Sequence, residues 1–329
     1  MSAVGDCIHT IPVVHALRER FPDCFLAWAT HNGPATLLEG LDGINEIVRV
    51  PRDWMKSPRS WLNVRRELRK LQFDVAIDPQ SLTKSALLGW LSGARYRIGF
   101  ARPQGRELSL LTNRLLVEPQ RQHVVDRYLE LLRPLRIDNP NVRFDMPVSV
   151  EPNIDAFLRP NDLRTGAFAI INPGAGWPSK IWPSDRYGIV AAHLGEQHGL
   201  PSIVTWAGAD ERQMASKICD ASRSHAILAS DTSLTELREL VRSAAIFVGS
   251  DTGPMHLAVA VGTPCVSIYG PTAPERCGPY GSGHCALHVP VATNNKIRSD
   301  DNSAMLQISA ADVCAATDQV INRIRQSAA

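Results

Sequence analysis

The stretch IFVGSDTGPMHLAVAVGTPCVSIYGPTAPE (246–275) leaves the chain few ways to fold. An apolar strand ends at Val248, and a short loop from Gly249 to Gly253 leads into a helix near 254–261. Pro254 sits in the first turn, where a missing N–H removes no helical hydrogen bond. Gly262 is placed to end the helix, and Pro264 opens a second apolar run, CVSIY (265–269). Strand, helix and strand in so short a span make one βαβ unit, whose strands lie parallel.

The same alternation runs along the rest of the chain. Ile11, Val14, Leu17 and Phe21 have helical spacing, and FLAWA (25–29), EIVRV (46–50), FDVAID (73–78) and RYRIGF (95–100) read as strands. Ser57-Pro58 starts a helix with the stripe Trp61, Val64, Leu68 and Leu71, and KSALLGWL (84–91) is another helix. Between Asp145 and Gly166 the rhythm lapses around Pro147, Pro152 and Pro160, which reads as a linker. It resumes with FAIIN (168–172), SIVTW (202–206) and AIL (226–228), separated by helices near 185–199, 209–222 and 233–243. Ser309 and Asp312 cap a final helix with the stripe Val313, Thr317, Val320 and Ile324. The fold class is α/β: open sheets with right-handed crossovers. The expected domains are 1–150 and 166–308, with a linker at 151–165 and a terminal helix at 309–329. Two such domains usually hold a ligand in the cleft between them, at the carboxyl ends of the strands.

Composition removes several function classes. Hydrophobic residues make up 44% and charged residues 21%, as in a soluble globular protein. There is no run of about 18 apolar residues for a transmembrane helix and no secretory signal pattern. The net charge of +2 does not argue for nucleic acid. Arg59, Arg65, Arg66, Arg69 and Lys70 crowd one segment and read as a solvated helix face; a surface for an acidic partner is the sharper alternative. Seven cysteines with no C-x-x-C pair read as reduced thiols, which places the chain in the cytoplasm. His284 and His288, near Cys277 and Cys285, lack ligand spacing and read as loop residues, so no metal or other cofactor is expected. No G-x-G-x-x-G follows any strand, which argues against a nicotinamide dinucleotide.

The loop in the opening stretch is a ready anion site, because a helix start presents unpaired N–H groups and a positive dipole end. Gly253 permits close approach to the backbone, Thr252 adds a hydroxyl, and His256 in the first turn can donate to a phosphate. Asp251 would repel phosphate and reads as an acceptor for sugar hydroxyls. Helix capping alone would account for Asp251 and Thr252 but does not require His256.

SDTGPMHLAVAVGTP resembles the signature of the ADP-heptose:lipopolysaccharide heptosyltransferases, glycosyltransferase family 9. SAVGDCIHTIPVVHALRERFP, DPQSLTKSALLGWLSGARYRIGF and NPGAGWPSKIWP are similar to other segments of that family in the same order, particularly of its heptosyltransferase I members. The resemblance implies a GT-B architecture of two Rossmann-like domains, acceptor on the N-terminal side and nucleotide-sugar on the C-terminal side, with the last helix packing back on the N-terminal domain. It implies metal-independent, inverting transfer of heptose from ADP-L-glycero-D-manno-heptose to an acidic, Kdo-type inner-core sugar. The acceptor would be lipid-linked, at the cytoplasmic face of the inner membrane.

Residue by residue, the resemblance makes Asp6 the general base that deprotonates the acceptor hydroxyl; a helix cap is the plainer reading. Lys180 in SKIWP would meet the donor phosphates, with Ala175-Gly176 standing where some relatives carry hydroxyls, so that backbone N–H groups or Ser179 would substitute. Glu211 would meet the ribose and the turn at Thr232 the adenine. Gln80, Lys84, Arg102 and Arg106 fall on the acceptor side, where a carboxylate pairs well with arginine. A different nucleotide-sugar or acceptor on the same fold, or a binder without catalysis, remains open. The resemblance also implies an apolar strand ahead of Gly5-Asp6. Four buried side chains at roughly 1.5–3 kcal/mol each rival a net stability of about 5–15 kcal/mol. The expectation is therefore that Met1 is an internal methionine.

Overall fold

The computed structural model describes residues 4–290 and 300–328. The chain divides into two compact units after Pro147. The first runs α1 (Val4–Arg20), β1 (Ala27–Thr30), α2 (Asn32–Leu38), β2 (Glu46–Arg49), α3 (Pro58–Lys70), β3 (Val75–Ile77), α4 (Thr83–Leu91), β4 (Tyr96–Phe100), α5 (Ser109–Thr112), β5 (Leu115–Val117) and α6 (Val124–Glu130). All its strand pairs are parallel, in two pieces: β1 with β2, and β3-β4-β5. Ser57 caps α3 as its sequence implies, accepting from the Ser60 amide, and Val64 and Leu68 of the stripe are buried. Arg59, Arg66, Arg69 and Lys70 are exposed, a solvated face.

The second unit runs α7 (Pro152–Leu158), β6 (Ala169–Asn172), α8 (Ser184–His198), β7 (Ser202–Val204), α9 (Gly208–Ala221), β8 (Ala226–Leu228), α10 (Leu234–Arg242), β9 (Ile246–Ser250), α11 (Gly253–Ala260), β10 (Cys265–Tyr269), α12 (Pro274–Cys277), β11 (Cys285–His288), α13 (Ser303–Leu306) and α14 (Ala310–Ala328). Its six parallel strands lie in the order β11-β10-β9-β6-β7-β8. Every residue of β6, β9 and β10 is buried, as expected for strands with helices over both faces. The order reverses at β6, so the loops after β6 and β9 flank the switch point where such sheets bind ligands.

The structure adds detail to three of the sequence readings. The proline-rich linker at 151–165 is largely helical: Pro152 starts α7, whose Ile154 and Leu158 are buried and which packs on α10. Proline is as compatible with a first helical turn as with a linker, and periodicity over so short a helix is weak. The terminal helix belongs to the second unit, where its Val313, Ala316, Val320 and Ile321 are buried in the core. Asp318 adds a polar tie, its Oδ1 lying 2.7 Å from His193 Nε2 and 2.6 Å from His198 Nε2. Sequence spacing gave no hint of this cluster. Finally, His288 belongs to edge strand β11 and not to a loop, whereas His284 lies in the loop just before that strand, its Nδ1 accepting from the Cys265 amide at 3.1 Å. Among the described residues no helix is long and apolar enough to cross a membrane.

Candidate active site

In the second unit the candidate residues gather on loops at the carboxyl ends of the strands. The loop after β6 is held by Trp182, which is fully buried, donates from its indole N–H to Ile308 O at 3.0 Å, and meets Tyr187 edge-on with ring centroids 4.7 Å apart. Two residues earlier, Lys180 points at the loop after β9: its Nζ donates to Asp251 Oδ2 at 2.5 Å. The same oxygen accepts from Thr272 Oγ1 at 3.0 Å and faces Cys277 Sγ at 3.7 Å. His256 Nε2 lies 3.3 Å from the other oxygen.

Asp251 is thus turned inward, with both oxygens engaged by protein groups. Burial alone would raise its pKa, but His256 and Lys180 overcome that and hold the carboxyl well below the usual range. Burial and the Asp251 charge push the Cys277 thiol up to about 12, so it faces the carboxylate as a neutral S–H. Thr252 is the extended residue before α11 and makes no side-chain cap; its hydroxyl donates to Ser250 O at 3.2 Å. The capping explanation therefore fails for both Asp251 and Thr252. Pro254 has no amide N–H and that of His256 donates to Thr252 O at 3.2 Å, which leaves the amides of Gly253 and Met255 for other acceptors. Ser179 is fully buried, which argues against it as a stand-in for the hydroxyls of the β6 loop.

Glu211 lies in the first turn of α9, and its Oε2 accepts from the Ala207 amide at 2.8 Å. Burial raises its pKa, and that hydrogen bond partly offsets the rise. The carboxyl rests against Gly174: a Cβ built there would lie 2.5 Å from it. Gly174→Ala should therefore displace the Glu211 carboxylate without disturbing the core. Gly174 is buried, but the atoms a Cβ would meet are the far end of the flexible Glu211 side chain, so a several-fold loss of ADP affinity by calorimetry is expected with only a small fall in melting temperature. Thr232 precedes Ser233, the cap of α10, whose hydroxyl accepts from the Glu236 amide at 3.2 Å.

In the first unit, Gly5 and Asp6 lie inside α1 and not in a loop before it. Asp6 is half-buried in the first turn, and its Oδ2 accepts from Gln80 Nε2 at 2.7 Å. Gln80 is placed by a residue the sequence reading missed. Asp78, buried at the end of β3, accepts from the Ser81 amide at 2.9 Å and from Asn113 Nδ2 at 3.2 Å, and burial raises its pKa. Ser81 takes a left-handed φ of 47°, and its hydroxyl accepts from the Phe100 amide at 2.8 Å. The available signal was a carboxylate directly after an apolar strand. Lys84 in the first turn of α4, and Arg102 and Arg106 after β4, are exposed; the Arg106 amide donates to Ser81 O at 3.2 Å, tying that loop to the Gln80 turn.

Comparison with known proteins gives this arrangement its context. The sequence profile of glycosyltransferase family 9 (heptosyltransferase) matches residues 61–306. The chain is 26% identical over 293 residues to the lipopolysaccharide core heptosyltransferase OpsX of Haemophilus influenzae, covering 86% of this chain and 80% of that protein. It is 27% identical over 296 residues to lipopolysaccharide heptosyltransferase 1 of Pseudomonas aeruginosa, covering 87% and 81%. Among solved structures, the Escherichia coli heptosyltransferase WaaC with ADP-2-deoxy-2-fluoro heptose superposes with a TM-score of 0.76 at 22% identity, covering 97% of each chain. The two units are thus the two Rossmann-like halves of a GT-B fold.

Proposed function

We propose, for a chain that belongs to glycosyltransferase family 9 and is a glycosyltransferase, that it moves heptose from ADP-L-glycero-D-manno-heptose to a lipid-linked inner-core acceptor bearing an acidic, Kdo-type sugar, with inversion. The observation that carries this reading is Lys180, held by Asp251, whose other oxygen meets His256, beside the start of α11 that no side chain caps. An ammonium next to free helix amides suits the charge that develops on a departing diphosphate. Glu211 would accept from the ribose hydroxyls, and the Thr232 turn would border the adenine. The donor class is supported by WaaC having been captured with an ADP-heptose analogue, and the lipopolysaccharide acceptor by the names of the relatives.

In this reading Asp6 takes the proton from the acceptor hydroxyl as its oxygen bonds to the anomeric carbon. The bond from that carbon to the diphosphate oxygen breaks, and ADP leaves with the electron pair. The transition state is oxocarbenium-like, as in glycoside hydrolysis. Gln80 orients the Asp6 carboxylate, while Lys84, Arg102 and Arg106 recognise the acceptor carboxylate. The enzyme would act at the cytoplasmic face of the inner membrane, where a lipid-linked acceptor is presented.

ADP release from ADP-heptose, measured with and without a Kdo-bearing lipid A acceptor, tests the proposal. Release should depend on the acceptor. Equal release without it would argue against transfer, and faster release with another nucleotide-sugar or acceptor would move the assignment within the family.

A further inference from the structure

A second polar cluster of the second unit lies away from the loops that carry Lys180 and Asp251. His193 and His198 belong to the last two turns of α8, and Asp318 belongs to α14. His193 Nε2 is 2.7 Å from Asp318 Oδ1, and His198 Nε2 is 2.6 Å from the same oxygen. The three ligand atoms all lie within 4.8 Å of one another, and among the described residues no other three His, Cys, Asp or Glu side chains converge so closely. α8 opens at Ser184, just after the Lys180 loop, and closes at His198. At a rise of about 1.5 Å per residue its end is about 21 Å from its start. The cluster therefore sits at the opposite end of the sheet from the candidate active site, beside the start of β7.

Hydrogen bonding explains these contacts only in part. Two Nε2–H groups can share one carboxylate oxygen, but His198 Nδ1 is buried with no partner, so that ring is held at Nε2 alone. The arrangement also has the geometry of a metal-ligand set. The two rings meet edge-on, at 71° between planes and 5.7 Å between centroids, so their nitrogens approach Asp318 from different directions. Nitrogen and oxygen ligands bonded at about 2.0–2.2 Å to a tetrahedral zinc stand about 3.3 Å apart, so the present contacts need to open by less than about 1 Å. Asp318 has the freedom to do this: its side chain is 40% exposed, whereas that of His198 is 8% exposed. That exposure also gives an ion a way in and leaves room for water as a fourth ligand. The two helices are fixed, because Val190 and Leu194 of α8 and Val313 and Val320 of α14 are buried in one core. Ligands on packed helices are held closer to a productive geometry than ligands on loops.

We propose that His193, His198 and Asp318 bind one zinc ion, which clasps α14 to α8. Two imidazoles and one carboxylate are a donor set for a transition metal; magnesium and calcium take oxygen ligands. Zinc accepts three such protein ligands with a water in the fourth position. Each neutral imidazole carries its proton on Nδ1 and turns the Nε2 lone pair to the ion, and the carboxylate supplies negative charge. The inference rests on side-chain geometry within one unit, independently of the reaction proposed above.

Zinc sulfate titrated into the chelator-treated full chain tests this, with calorimetry and thermal melting as readouts and Asp318→Asn and His193→Gln as comparisons. Both variants keep all seven cysteines, so any zinc taken up by thiols is common to the three proteins. The parent should bind one zinc ion that the variants hold at least about tenfold more weakly, the smallest loss usual even for an outer partner of a metal ligand. Zinc at about a hundred times its Kd should raise the parental melting temperature by about 4 °C or more and leave the variants at their zinc-free values. In the parent alone, zinc should also shift the Nε2 nuclear magnetic resonances of His193 and His198, a readout that needs no variant to fold. Equal zinc affinity in the parent and Asp318→Asn, a parental melting temperature that zinc does not raise, or unmoved Nε2 resonances would each overturn the proposal and leave a hydrogen-bonded cluster.

Discussion

Asp6→Asn is expected to lower acceptor-dependent ADP release by about 10²–10⁴-fold, the usual contribution of a positioned general base. The substitution keeps an oxygen that can accept the Gln80 amide, which now donates to Asp6 Oδ2 at 2.7 Å, but an amide cannot take the acceptor proton. ADP affinity should be unchanged, because the donor contacts assigned above belong to the second unit. Asp6 is half-buried and its carboxyl has a neutral hydrogen-bond partner, so the melting temperature should move little. A purely structural role predicts the opposite pattern, a lower melting temperature with turnover intact. Turnover within tenfold of the parent would remove Asp6 from the base role.

The sequence made the second unit more legible than the first. Ile246, Phe247, Val248, Cys265 and Val266 are apolar on both strand faces, Pro254 and Gly262 punctuate the helix between them, and the structure places β9, α11 and β10 accordingly. Strands buried on both faces leave little room for another assignment. Short edge elements were illegible for the converse reason. Leu115–Val117 and Cys285–His288 make one-sided contacts and carry too few residues for a pattern. Pro152 shows that a residue suited to both linker and first turn is decided by packing, here Ile154 and Leu158 against α10. At the site, residue types were legible but directions were not. Asp251 was visible as a carboxylate beside an anion loop; that it faces inward follows from Lys180, Thr272 and Cys277, which lie on three other segments. Asp78 and the His193–His198–Asp318 cluster likewise exist only once helices and turns distant in sequence are packed together.

Asp251→Ala should produce the largest loss of stability, about 3–5 kcal/mol, because removing one partner of a buried pair leaves the other charge uncompensated. The pair qualifies as buried: the Lys180 and Asp251 side chains are 12% and 7% exposed. Lys180→Met combined with Asp251→Leu should regain most of that loss, since replacing a buried pair by apolar groups of similar size is often neutral. It should not regain turnover, which is expected to stay about 10²–10³-fold down if Lys180 meets the departing diphosphate. Denaturant midpoints and ADP release on the three proteins separate the two effects. A double variant as unstable as Asp251→Ala would show that Asp251 acts through Thr272 or His256, and one with parental turnover would exclude Lys180 from the donor contact. The pH dependence has a defined sign. The folded Asp251 carboxyl lies below its ordinary range, so its contribution is complete above the unfolded value of about 3.9 and is lost as pH falls from there toward the folded one. The parent should therefore lose stability more steeply below about pH 4 than the double variant, in which neither charge remains.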